Sequence, residues 1–333
     1  MRILLALLSV VALALAALAV DAARVLTRPL QLPGDVVFTI EEGQPFAAVA
    51  QRLAAQGWLA PAPRGVLYLR VYARLSGTER QLKAGEYRLL DGMTPLRALD
   101  LFVSGKGVLY QLTLVEGWTF RQALDAVHAH PQLQQTLAPG DAAAVMAALG
   151  RADQKPEGRL FPDTYHFARG TTDVAFLRRA ADTMDRVLAA EWDARAEDLP
   201  YATPEEALVM ASIVEKETGA PHERTQIAGV FVRRLQRGMR LQTDPTVIYG
   251  LGEAFDGNLR KRDLIADGEY NTYTRTGLPP SPICLPGRAS IRAALHPDGG
   301  SALFFVSRGD GTHEFSATLE QHEAAVRRYQ LKR

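Results

Sequence analysis

Two glutamates, Glu215 and Glu217, close the run Ala211-Ser-Ile-Val-Glu-Lys-Glu-Thr218, which continues an apolar stretch that starts at Ala207. A carboxylate held against apolar surface loses its hydration, and this raises its proton affinity. A carboxyl group that keeps its proton near neutral pH can act as a general acid. The chemistry such a group suits is protonation of a leaving group, with a glycosidic oxygen the first candidate. The plainer alternative is a pair of last-turn surface carboxylates. The helix dipole disfavours negative charge at a C-terminus, which argues for a special reason.

The element that must carry these glutamates is legible nearby. Thr203 suits an N-cap, Pro204 suits the first helical position, and Glu206 sits three residues after the cap, as in a capping box. Residues from Ala207 to Val214 are apolar nearly all round, so the helix is expected to be buried. Thr218-Gly219-Ala220-Pro221 supplies the stop. At about 100° per residue, Glu217 falls between Met210 and Ile213, flanked by Val209 and Val214. Glu215 falls about 160° away, near Leu208, Ala211 and Ser212. The stronger desolvation therefore belongs to Glu217, which is expected to be the acid. Glu215 is expected to have a supporting or solvated role.

Other polar residues could hold a substrate. Gln242, Thr243 and Asp244 stand together between apolar neighbours. They suit hydrogen bonds to sugar hydroxyls and N-acetyl groups. The alternative is helix capping, which explains Asp244 before Pro245 well and Gln242 poorly. Tyr270, Asn271 and Tyr273 offer two aromatic faces and an amide for sugar contacts, or a loop packed on the core. The seven histidines show no metal-ligand spacing: His128 and His130 face apart on a helix, and neither His222-Glu223 nor His313-Glu314 has a third ligand nearby. No metal and no cofactor is expected. Gly250-Leu-Gly252 lacks the third glycine of a nucleotide loop. The single cysteine, Cys284, excludes an internal disulfide and reads as a small buried hydrophobe.

The chain has 333 residues, 47% hydrophobic and 23% charged, ordinary for a globular protein with room for two domains. A net charge of +1 gives no electrostatic case for nucleic acid. The N-terminus is unusual. After Met1-Arg2, residues from Ile3 to Val20 are uncharged and, apart from Ser9, apolar, about the minimum length that spans a bilayer core. A single-pass anchor with a cytoplasmic N-terminus is the preferred reading. A cleaved signal peptide competes with it, since Ala17-Leu-Ala19 fits a cleavage site. Either way the remaining chain is expected outside the cytoplasmic membrane.

The patterning along the chain is mixed. Strands are expected at Val36–Ile40, 84–90, 108–115 and 161–167, with a hairpin at 303–306 and 312–315. Helices are expected at 46–56, 64–75, 95–104, 120–128, within 138–153, after Thr172 to about Ala196, at 222–237 and after Thr318. The fold class is α+β. It comprises an N-terminal transmembrane helix (1–22), a small βααβ subdomain (36–110) and a larger α+β catalytic domain (111–333). The Glu42-Gly-Gln-Pro45 turn before a helix makes the small subdomain similar to a LysM carbohydrate-binding module.

Several segments together resemble the endolytic murein transglycosylases, the MltG or YceG-like family. They are Glu157-Gly158 with Phe161-Pro-Asp163, Ala211–Thr218, Arg240-Leu-Gln-Thr-Asp-Pro-Thr-Val-Ile-Tyr-Gly250, Tyr270-Asn-Thr-Tyr273, Gly277-Leu-Pro-Pro280 and Ala294-Leu-His-Pro297. The resemblance implies a single-pass membrane protein whose outer domain cuts glycan strands of nascent peptidoglycan, and it implies synthases of the elongation or division machinery as partners. The family's essential glutamate is the second of its Glu-Lys-Glu pair, which falls on Glu217. Gln242, Asp244, Tyr270, Asn271, Tyr273 and Glu215 are then expected to bind the substrate or support the site. Two other readings stay open: a hydrolase pairing Glu217 with Asp244 or Glu215, and a non-catalytic peptidoglycan-binding scaffold.

Overall fold

In the computed structural model, which describes residues 2–217 and 219–331, the apolar N-terminal run forms one helix, α1 (Arg2–Thr27). It is long and apolar enough to cross a membrane. Its side chains are exposed as far as Val20, but Val25 and Leu26 are buried. Asp21 on the same helix accepts hydrogen bonds from Arg64 at 3.0 Å and from Tyr68 at 2.8 Å. Thr218, the expected start of the helix stop, lies outside the described residues.

The chain divides into two compact units, residues 1–110 with 167–170, and residues 111–166 with 171–333. In the first, α1 is followed by β1 (Val36–Ile40), α2 (Phe46–Ala55), α3 (Ala62–Leu75), β2 (Gly85–Leu89) and α4 (Pro95–Ser104). Strands β1 and β2 pair antiparallel, with Val36 opposite Leu89 and Ile40 opposite Gly85. The pleat turns Phe38 and Ile40 inward while Val37 stays exposed. Phe38 stacks on Phe102 with ring centroids 5.8 Å apart, and Tyr87 meets Phe102 edge-on. Thr94 caps α4 by accepting from the backbone N–H of Arg97.

The second unit takes most of β3 (Tyr110–Thr113) and β4 (Thr164–Phe167), whose end residues Tyr110 and Phe167 count with the first, together with α5 (Phe120–Ala129), α6 (Ala142–Ala148), α7 (Asp173–Asp193) and α8 (Pro204–Glu217). It continues with α9 (Arg224–Gln236), α10 (Asp244–Leu251), α11 (Lys261–Ile265), α12 (Arg288–Leu295), β5 (Phe304–Ser307), β6 (His313–Ser316) and α13 (Leu319–Tyr329). Strands β3 and β4 pair, and β5 and β6 form an antiparallel hairpin with Phe304 opposite Ser316.

Helix α8 is the centre of this unit. Every residue from Ala207 to Val214 is buried, as an all-round apolar helix requires. Its neighbours supply Met184 and Leu188 from α7, Ile227 and Phe231 from α9, and Ile291 and Leu295 from α12. Met210 is sealed completely, and its truncation to alanine is expected to cost about 2–5 kcal/mol. The first turn departs slightly from the expected capping box. Thr203 Oγ1 accepts from the Glu206 N–H at 3.3 Å, but the Glu206 carboxylate reaches back to the N–H of Ala202 rather than Thr203.

Helix α12 is a finding that sequence patterning does not anticipate. It is only eight residues long, follows a proline-rich segment and starts from Gly287 without a side-chain cap. Burial of Ile291, Ala294 and Leu295 against α8 and α9 stabilises it.

Candidate functional site

Glu217 ends α8 on the wall of an open cleft of about 530 Å³, shared with Arg234, Gln242, Asp244, Tyr273 and His313. Burial pushes its carboxyl up to about 7. A hydrogen bond from Thr243 opposes the rise, the negative charge of Asp244 adds to it, and the Arg234 guanidinium opposes it. The Thr243 hydroxyl donates to Glu217 Oε2 at 3.2 Å.

A buried threonine cluster brings Thr243 there. The backbone N–H of Thr243 bonds to Thr272 Oγ1 at 3.1 Å, and the Thr246 and Thr272 hydroxyls lie 2.9 Å apart. The N–H of Gln242 bonds to the Thr272 carbonyl at 3.1 Å. Gln242 itself has φ 51°, a left-handed conformation that non-glycine residues seldom adopt. The paired backbone on either side holds it there, and its exposed side chain lines the cleft.

Thr243, not Asp244, is the N-cap residue of α10, and its hydroxyl serves Glu217 instead of the helix. The alternative reading, in which Asp244 caps this helix, therefore does not hold. Asp244 occupies the first helical position, and its carboxylate accepts from the Tyr273 hydroxyl at 2.6 Å on the cleft wall. Burial and the Asp244 hydrogen bond raise the Tyr273 hydroxyl well above its ordinary range.

Three residues expected to touch substrate are occupied elsewhere. The Asn271 amide nitrogen lies 3.1, 3.1 and 2.6 Å from the carbonyls of Asp263, Leu264 and Ala266, and its oxygen accepts from the Tyr273 N–H. The side chain closes the end of α11 and has no free donor for a sugar. The Tyr270 and Ser281 hydroxyls lie 2.6 Å apart, and the Tyr270 and Tyr249 rings meet edge to face. It does not line the Glu217 cleft. Glu215 accepts from the Gly287 N–H at 2.9 Å and pairs with Arg224 at 3.7 Å. It faces a separate cleft with Glu116 and Trp118. Sequence alone missed these ties because loop conformation sets the nearer ones, such as Asn271 to the carbonyls of 263–266, and chain packing sets the far one from Gly287 to Glu215. The same face of α8 carries Ser212, whose hydroxyl accepts from the Ile283 N–H, and the Cys284 thiol donates to the Ser212 carbonyl. Cys284 is sealed, and burial pushes its thiol up.

Two further charged residues lay outside the sequence reasoning about the site. Arg234 is buried on α9, donates to the carbonyls of Leu241 and Leu303 and faces the Phe304 ring at 5.2 Å. It puts a fixed positive charge in the Glu217 cleft. Glu157 is buried, and its carboxyl too is pushed up to about 7 by burial. It accepts from the Phe120 N–H at 2.8 Å and the Tyr249 hydroxyl at 3.1 Å, tying α5 to α10. Gly158 beside it has φ 80°, and a Cβ there would sit 2.6 Å from Pro282. Among the described residues, no group of three or more His, Cys, Asp or Glu side chains could hold a metal ion.

Comparison with known proteins places the chain in a family. An endolytic murein transglycosylase of Bacillus subtilis strain 168 is 32% identical over 264 residues, spanning 74% of this chain and 73% of that protein. A protein of the same name from Streptococcus pneumoniae serotype 2 strain D39 is 28% identical over 279 residues, 74% of this chain but 50% of that protein. The crystal structure of a yceG-like protein from Listeria monocytogenes superposes with a TM-score of 0.55 at 29% identity, covering 87% of this chain and 99% of that one. The sequence model of the YceG-like family matches residues 38–328, from the first strand to the last helix, and on that extent the chain belongs to the YceG-like family.

Proposed function

We propose that this chain is an endolytic murein transglycosylase, a lyase acting on peptidoglycan glycan strands, with Glu217 as its acid and base. The observation that carries the reading is the Glu217 carboxyl, placed by an apolar helix on a cleft wall and held near neutrality by burial. Membership of the YceG-like family and the name shared by its relatives support it.

The protonated Glu217 gives its proton to the oxygen that links N-acetylmuramic acid to N-acetylglucosamine. The C1–O bond breaks, the leaving sugar departs as an alcohol, and C1 of the muramoyl residue gains oxocarbenium character. The Glu217 carboxylate then takes the proton of the C6 hydroxyl, and O6 closes onto C1 as a 1,6-anhydro ring. Glu217 ends protonated, and no water is consumed. One carboxyl serves both steps because the acid of the first is the base of the second. Gln242, Asp244 and Tyr273 line the same cleft and are assigned to holding the sugar. Arg234 lowers the cost of the carboxylate formed between the steps.

Helix α1 is assigned as a membrane anchor. It continues unbroken from the exposed apolar run to Val25 and Leu26, which are buried in the first unit. The glycan substrate puts the catalytic unit on the extracytoplasmic face, within reach of peptidoglycan synthases. The β1-α2-α3-β2 arrangement of the first unit has the element order of a LysM module, and a glycan-holding role there follows from that likeness.

The test is cleavage of purified uncrosslinked glycan strands by the full chain in detergent, with Glu217→Gln alongside and fragment ends read by mass spectrometry. Internal fragments with anhydro ends, absent in the variant, are expected. Reducing ends would make the protein a hydrolase, in which exposed Asp244 would be the second carboxylate.

A further inference from the structure

We infer that His313 is a glycan-contacting residue of the Glu217 cleft, and that Glu223 is the positioning residue that fixes which of its ring nitrogens carries the proton. The inference rests on the glycan-cleaving reading and adds a second pair of residues to it.

His313 opens β6, and Glu223 immediately precedes α9, 90 residues away along the chain. The Glu223 carboxylate is buried and spends both oxygens on His313. Oε1 accepts the His313 backbone N–H at 2.9 Å, and Oε2 lies 2.7 Å from Nδ1. A carboxylate oxygen at that distance requires the proton on Nδ1. With Nδ1 carrying the ring's single proton, Nε2 offers its lone pair as an acceptor. Nε2 has no hydrogen-bond partner among the described residues, yet it is not sealed from solvent. His313 lines the cleft that holds Glu217. Phe305 packs on the ring at 5.3 Å, nearly perpendicular, and limits its swing.

A purely structural tie between β6 and α9 would need only the backbone hydrogen bond. The ring contact adds something different: one nitrogen is anchored, and the opposite nitrogen has no partner among the described residues, on a residue that lines the cleft. This is the arrangement by which a buried carboxylate sets the tautomer and orientation of an imidazole that works on a substrate. Glycan hydroxyls are the donors that a fixed Nε2 acceptor suits. A cleft of about 530 Å³ is within the size of sites that enclose one ligand segment, so Glu217 and His313 act on one stretch of strand.

Two variants separate contact from scaffold. His313→Asn keeps an amide N–H where Nδ1–H meets Glu223 and removes Nε2. Glu223→Gln keeps the backbone acceptor but turns a donor toward Nδ1, which moves the ring proton to Nε2. The full chain in detergent would be assayed for kcat and KM on uncrosslinked strands, and for strand binding in a Glu217→Gln background. Thermal midpoints would be recorded for each variant. Both variants are expected to raise KM and weaken binding about tenfold, the size of one lost hydrogen bond, with midpoints close to the parent. KM and binding within twofold of the parent would overturn the proposal, as would losses that track a fall in the midpoint. The binding arm keeps the two readings apart. Reducing ends or no cleavage by the parent count against the transglycosylase reading, and unchanged binding counts against His313.

Discussion

Burial raises the proton affinity of Glu217, and two neighbours, Thr243 and Asp244, adjust it in opposite directions, which yields a paired prediction. An ordinary glutamate titrating near 4.5 is about 0.3% protonated at pH 7, whereas one at about 7 is half protonated. The site thus holds over a hundred times more acid than an exposed carboxyl would. The free-enzyme pH profile should then lose activity above about pH 7, about tenfold per unit. Thr243 stabilises the carboxylate form, so Thr243→Val should move this limb upward. At 3.2 Å the hydrogen bond is long, and a loss of about 1 kcal/mol corresponds to about 0.7 unit. The charge of Asp244 disfavours the carboxylate, so Asp244→Asn should move the limb downward, by roughly half a unit for partly exposed charges. Asn keeps an oxygen for the Tyr273 hydroxyl, so the local geometry is preserved. The assay is kcat/KM for anhydro-end formation between pH 5 and 9 at constant ionic strength. The reasoning is refuted if both variants shift the limb in the same direction, or if the parent limb lies near pH 4.5.

The other predictions concern stability and binding. Glu157 has a raised carboxyl, so the stability tied to its protonated form is complete below about 4.5 and is lost as pH rises through about 7. Glu157→Gln should remove that loss. Relative to the parent it should gain at pH 8, by at most about 3 kcal/mol, and change little at pH 4.5. Denaturant midpoints at the two pH values decide it, and an equal change at both would contradict the burial argument. Asn271→Ala should cost about 2 kcal/mol by stranding the carbonyls at the end of α11, while KM stays within twofold. A large rise in KM without a stability loss would return Asn271 to the substrate.

Much of the site was legible because the decisive signals are local. Helix α8 announces its start, its burial and the inequality of its two glutamates through spacing alone, since 3.6-residue periodicity converts sequence directly into angle. The hydrophobic alternation of β1 and the caps of α4, α7 and α13 are likewise written within a few residues. Helix α12 escaped because its stability comes from α8 and α9 rather than from its own eight residues.

The side-chain ties were not legible for a related reason. Asn271, Tyr270 and Tyr273 look alike as polar and aromatic loop residues. One proves to close a helix end, one to lock onto Ser281, and one to face the cleft beside Asp244. A hydrogen bond depends on atoms a few ångströms apart, and the chain brings Gly287 to Glu215, Thr243 to Glu217 and Glu223 to His313 only when it folds. The sequence by itself determined that Glu217 would end an apolar helix against apolar surface, because its position on that helix fixes its near surroundings. Only the tertiary structure decided which polar groups stand beside it, because those partners come from loops whose place depends on the packing of the whole unit.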